Sequence, residues 1–69
     1  MARLKLLGQN IKKYRESKKW SQEFLAEKLD FSREYISRIE GGQRSISLRK
    51  LFLLADVLGV KFSDLTNFD

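Results

Sequence analysis

With 69 residues, 42% of them apolar, four Gly and no Pro, the chain has room for one small domain over residues 1–69 and none for a second, catalytic one. His and Cys are both absent, which removes imidazole acid–base catalysis, thiolate nucleophiles, zinc fingers and disulfide scaffolds together. Lys and Arg outnumber Asp and Glu by 14 to 9, a net charge of +5, and seven of those 14 cations lie in the first 20 residues beside a single acid.

Such segregated positive charge suits a nucleic acid, an anionic membrane surface or a basic protein in solution, and alone does not choose among them. No apolar run approaches the roughly 18 residues of a membrane span, so the expected location is the cytosol. With no disulfide or metal to staple it, the domain must draw its stability from well-packed local structure, which helices supply most readily. The expected fold class is therefore all-α.

Helices are predicted at about 3–18, 22–29, 33–40, 48–58 and 64–67. In the first, Leu4, Leu7, Ile11 and Tyr14 fall within an arc of about 80°, with Arg15 at its edge. The next four begin at Ser21, Ser32, Ser47 and Ser63, whose hydroxyls can accept an otherwise unpaired amide of the first turn. Three of these starts carry a hydrophobic staple as well: Trp20 with Leu25, Phe31 with Ile36 and Ile46 with Leu51.

Only Asp30 and Phe31 separate Leu29 from the Ser32 cap, so the second and third helices must cross steeply, as in a helix-turn-helix. Gly41-Gly42 ends the third helix and Gly59 the fourth. On the third helix Tyr35, Ile36 and Ile39 share one side, Arg33, Glu34, Ser37 and Arg38 project from the other, and Glu40 borders the apolar edge. A Glu and an Arg at buried edges are tolerated mainly as partners, which pairs Arg15 with Glu40.

On the fourth helix Leu51, Leu54, Ala55 and Leu58 form the core stripe, which leaves Leu53 and Val57 in excess on another side. Burial beneath Phe62, Leu65 and Phe68 is the first explanation. A surface for a second copy, formed by Leu53, Val57 and Phe68, is the other.

The run Ser21-Gln22-Glu23-Phe24-Leu25-Ala26-Glu27-Lys28-Leu29, followed by Ser32-Arg33-Glu34-Tyr35-Ile36-Ser37-Arg38-Ile39-Glu40-Gly41 and the later LxxLxxxLGV, resembles the phage-repressor and Cro type of helix-turn-helix. The resemblance to this lambda repressor-like family extends from about Leu7 to Leu65, and only the combination of motifs is specific. It implies a compact five-helix bundle whose second helix lies across the DNA backbone and whose third enters the major groove. It also implies an Arg of the first helix paired with the Glu ending the third, matching Arg15 and Glu40.

Three positions depart from the family pattern. Phe24 stands where a Glu often completes a capping box, and Lys19 and Asp30 stand where Gly is common. Asp30 tolerates a left-handed backbone, whereas Lys19 is expected to avoid one.

Taken alone, Arg33, Glu34, Ser37 and Arg38 read as an ordinary wet face with salt bridges. With the resemblance they become base contacts: Arg33 and Arg38 as forks to guanine, Glu34 accepting from a cytosine amine, and Ser37 in either role. Tyr35 at the boundary caps the core, touches a thymine methyl or bonds a phosphate. For the DNA backbone the resemblance points to Gln22, which also braces the next helix, and to Gln43, Arg44 and Ser45 in the following loop. Lys13 and Lys18 are read as general electrostatic attraction, and Lys12 and Lys19 stay open between phosphate and solvent. A membrane role conflicts with the need for Leu4, Leu7 and Ile11 in the core.

The expected function is a bacterial, phage or plasmid type transcriptional regulator, binding double-stranded DNA as a homodimer on a palindromic operator. No cofactor, small-molecule ligand, metal or enzymatic activity is expected. The competing reading is a protein-interaction module of the same fold, an antitoxin-like partner binder, favoured by Phe24, Leu53 and Val57.

Overall fold

The computed structural model describes residues 2–68. Five helices follow one another: α1 (Ala2–Ser17), α2 (Gln22–Leu29), α3 (Arg33–Glu40), α4 (Leu48–Leu58) and α5 (Phe62–Thr66), with no strand among the described residues. The all-α, five-helix reading of the sequence holds. Helix α1 packs on α3, α4 and α5, and α2 packs on α3 and α4, around a core built from Leu7, Ile11, Leu25, Ile36, Ile39, Leu54, Leu58 and Leu65.

Three serine caps form as expected. Ser21, Ser32 and Ser47 accept from the amides of Phe24, Tyr35 and Lys50 at 3.0, 3.1 and 3.2 Å. The staple residues Trp20, Phe31 and Ile46 pack against the core that contains Leu25, Ile36 and Leu51.

The fourth cap does not form. Helix α5 starts at Phe62, two residues earlier than a Ser63 cap would allow, because the Asp64 carboxylate accepts from the Lys61 amide at 2.9 Å. Ser63 is thereby taken into the helix, and an acid in the first turn takes over the capping role.

The helix ends share one device. At the end of each of α1 to α4 a left-handed residue is followed by an amide that bonds back to the carbonyl five residues earlier: Trp20 to Arg15 at 3.3 Å, Phe31 to Ala26 at 2.8 Å, Gln43 to Arg38 at 2.9 Å and Val60 to Ala55 at 3.0 Å. The left-handed residues are Lys19 (φ 61), Asp30 (φ 58), Gly42 (φ 72) and Gly59 (φ 71). Three of the amide donors, Trp20, Phe31 and Val60, are apolar and pack on the core, the hydrophobic contact that accompanies this motif. Lys19 thus adopts the conformation it was expected to avoid, because the motif has to turn Trp20 inward.

Burial under the last helix accounts for only part of the excess on α4. Leu65 is fully buried and Val57 leans on the core, but Leu53 remains 44% and Phe68 37% exposed. At five residues, α5 is too short to cover the outer side of an eleven-residue helix. Leu48 and Phe52, on the same side of α4 one turn apart, are also open, and Phe52 stacks on Phe62 with ring centroids 4.5 Å apart.

Candidate DNA interface

The position of α3 is fixed from behind by a buried ionic network. The Arg15 side chain donates to both carboxylate oxygens of Glu40, through Nε to Oε2 at 2.7 Å and through Nη2 to Oε1 at 3.1 Å, and its remaining Nη1 donates to the Trp20 carbonyl at 2.6 Å. Gln22 Nε2 donates to Glu40 Oε1 at 3.0 Å. Among the described residues Arg15 and Glu40 are the buried charged ones, and no buried side-chain polar atom there lacks a partner. The bond to Glu40 holds the Arg15 guanidinium above its ordinary pKa against the opposing pull of burial.

The expected Arg15–Glu40 pair is therefore present, and it ties together more than two helices. Arg15 is in α1, Trp20 in the α1–α2 turn, Gln22 at the start of α2 and Glu40 at the end of α3. The bond from Arg15 to the Trp20 carbonyl thus brings the α1–α2 turn, with Lys19 at its left-handed position, into the same network.

Two glycines bring α1 against the end of α3. A Cβ on Gly8 would lie 2.3 Å from the Ile39 carbonyl oxygen and 2.5 Å from that of Glu40. A Cβ on Gly42 would lie 2.7 Å from the Lys5 Cα, in addition to the strain of its positive φ. Both contacts join residues more than 30 positions apart, so no local pattern in the sequence announces them.

From this base, α3 presents Arg33, Glu34, Ser37 and Arg38 to solvent, all four exposed on its outer side. Glu34 and Arg38 form an i,i+4 pair at 3.5 Å, with 76% and 53% of their side chains exposed. Gln43, Arg44 and Ser45 lie exposed in the loop after α3. Gln22 is half-buried, its amide group engaged by Glu40, so the bracing role implied for it is the one the geometry displays.

Tyr35 stands between core and solvent, edge-on to Phe31 with centroids 5.2 Å apart and ring planes at 87°. The Arg44 guanidinium lies 5.1 Å from the Tyr35 ring centre, and Lys50 Nζ 4.8 Å from it and 5.5 Å from that of Phe31. Lys50, in the first turn of α4, is a neighbour of this face that sequence reasoning missed. No spacing rule connects it to α3. At the α1–α2 junction, Lys18 sits over Trp20, and Lys28 over both Trp20 and Phe24.

Nothing in this arrangement resembles a reaction centre, and no group of three or more His, Cys, Asp or Glu residues able to hold a metal occurs among the described residues. None of the described helices is long and apolar enough to cross a membrane.

The model of a helix-turn-helix family matches residues 11–65. Control protein C.BamHI of Bacillus amyloliquefaciens is 44% identical over 64 residues, which cover 91% of this chain and 79% of that protein. The immunity repressor protein of Bacillus phage phi105 is 40% identical over 57 residues, 83% of this chain but 40% of the repressor. The crystal structure of the restriction-modification controller protein C.AhdI from Aeromonas hydrophila superimposes with a TM-score of 0.90 at 35% identity, covering 94% of this chain and 98% of that one. On this evidence the chain belongs to the helix-turn-helix family of the phage-repressor and Cro type, DNA-binding regulators of transcription that are not enzymes.

Proposed function

We propose that the protein is a sequence-specific regulator that binds a palindromic operator as a homodimer, with α3 in the major groove. The carrying observation is the asymmetry of α3: its inner end is locked by the Arg15–Glu40–Gln22 network while Arg33, Glu34, Ser37 and Arg38 stay exposed. A rigid helix with exposed forked donors, one of them held only by the weak surface pair with Glu34, is what reading of base edges requires. Arg33 and Arg38 take guanine edges, Glu34 a cytosine amine and Ser37 either kind of group, while Gln22, Gln43, Arg44 and Ser45 hold the backbone and fix register.

The subunit contact is assigned to Leu53, Val57 and Phe68, with the open Phe52 adding to it. Two-fold symmetry then sets two copies of α3 about 34 Å apart, one turn of the duplex. Control proteins among the relatives make control of a restriction-modification locus the setting we assign. The mechanism is occupancy, with salt-dependent backbone attraction supplying affinity and α3 supplying selection.

Selection of bound duplexes from a random pool tests this reading. The expected result is an enriched inverted repeat with half-sites one helical turn apart. No enrichment would refute it and move the protein-interaction module to first place. Phe24, which favours that alternative by being 40% exposed, already has its ring occupied by the edge of Trp20 at 5.1 Å and by Lys28.

A further inference from the structure

A cleft of about 310 Å³ opens beside the first turn of α3, lined by Asp30, Phe31, Ser32, Glu34, Tyr35, Arg38, Arg44 and Lys50. Three cations from three separate segments meet there: Arg38 from α3, Arg44 from the loop and Lys50 from α4. Two carboxylates face them, and one of these, Glu34, is already engaged by Arg38. Arg44 and Lys50 form no ion pair among the described residues, yet neither is left to wander. Phe31 and Tyr35 stand at a right angle, and the Lys50 ammonium sits against both rings while the Arg44 guanidinium sits against Tyr35.

An aromatic ring attracts a cation without neutralising it. The corner made by Phe31 and Tyr35 therefore fixes where Lys50 and Arg44 stand while leaving their charge available to an anion. Hydrogen-bond donors with fixed positions and uncompensated charge suit an oxyanion such as a phosphate group.

We propose that Lys50, together with Arg44, grips a phosphodiester of the operator backbone at the N-terminal end of α3, and that Tyr35 is the positioning residue that holds both cations. The inference rests on the reading of α3 as the helix that enters the groove. It gives α3 a backbone anchor near its first turn to match Gln22, which is tied to Glu40 at the last. Tyr35 accordingly contributes its ring and not a base contact, and Asp30, the free carboxylate of the cleft, weakens the grip.

The test is equilibrium binding of the full chain to the selected duplex and to a random duplex across a salt series. Lys50→Gln is expected to weaken binding to both by the same factor, about three- to tenfold, and to make the dependence of log affinity on log salt shallower by about 0.9, the share of one phosphate contact. Lys50→Arg should restore the slope. Tyr35→Phe, which keeps the ring, should behave as wild type, and Tyr35→Leu should reproduce the shallower slope in folded protein. Asp30→Asn, which retains tolerance of the left-handed backbone, should bind both duplexes more tightly.

Lys61→Gln removes the same charge outside the cleft and should leave the slope unchanged. An unchanged slope in Lys50→Gln, an equal change in Lys61→Gln, or a loss confined to one duplex would each overturn the proposal. Inorganic phosphate at constant ionic strength should not displace DNA; displacement that disappears in Lys50→Gln would make the free ion the ligand and overturn it as well. Failure of the wild type to bind any duplex would instead sink the reading of α3 itself.

Discussion

Two glutamates on α3, six positions apart, do opposite things. The Glu40 side chain is 3% exposed and accepts three hydrogen bonds from two residues, whereas Glu34 is 76% exposed and touches Arg38 at 3.5 Å. An exposed i,i+4 pair of that kind contributes only about 0.3–0.5 kcal/mol, so the Arg38 fork can leave it for a base edge at little cost. The buried pair is different in kind. Breaking one partner of such a pair leaves a desolvated charge and costs about 3–5 kcal/mol. Burial makes a charge a fixed strut, and exposure leaves it free to exchange partners. The same helix uses the first for its position and the second for recognition.

The largest effects should come from the strut. Arg15→Met and Glu40→Leu are each expected to destabilise the domain by about 3–5 kcal/mol in thermal melts, enough to unfold much of so small a protein. The double variant should recover part of that loss, because no orphan charge remains. Additive losses would show that the two charges act separately. Gly8→Ala comes next. Its methyl group would press on two carbonyls at the end of α3, and the clash should outweigh the better helix propensity of Ala, with a net loss of about 1–3 kcal/mol by urea titration. A stable Gly8→Ala protein would mean that α1 can move away from α3.

The outer face should answer in binding and not in stability. Arg33→Ala and Arg38→Ala are expected to weaken specific binding by about 1–3 kcal/mol each, with random-duplex binding nearly intact and stability changed by less than about 0.5 kcal/mol. Equal losses on both duplexes would remove them from the base-reading role. Gln22→Ala should fall between the two regimes, weakening both kinds of binding alike and costing about 1 kcal/mol of stability through the lost bond to Glu40. The smallest effect is a gain. Lys19→Gly removes a left-handed cost of about 1–2 kcal/mol and adds about 0.4–1 kcal/mol of unfolded-chain entropy, a net stabilisation of roughly 0.5 kcal/mol. A loss on denaturation would show that contacts of the Lys19 side chain outweigh its backbone strain.

What could be read from the sequence was what is local. The caps at Ser21, Ser32 and Ser47 bond to amides three residues away, and the two sides of α3 follow from helical period alone. Arg15 and Glu40 were pairable because each lay at the edge of an apolar arc on its own helix. The misses all depended on what another segment supplied. Ser63 lost its cap to Asp64, Lys19 turned left-handed so that Trp20 could reach the core, and Leu53 stayed open because α5 is short. Gly8 and Lys50 matter only through helices distant in sequence, against which they come to lie once the chain has folded.

The central claim, that α3 selects the sequence while the network behind it only holds it in place, is tested most directly by repeating the random-duplex selection with Arg38→Ala. The account predicts the same half-site spacing and the same consensus, except for lost preference at one guanine position in each half-site, symmetric about the dyad. An unchanged consensus, with only weaker recovery of DNA, would contradict it.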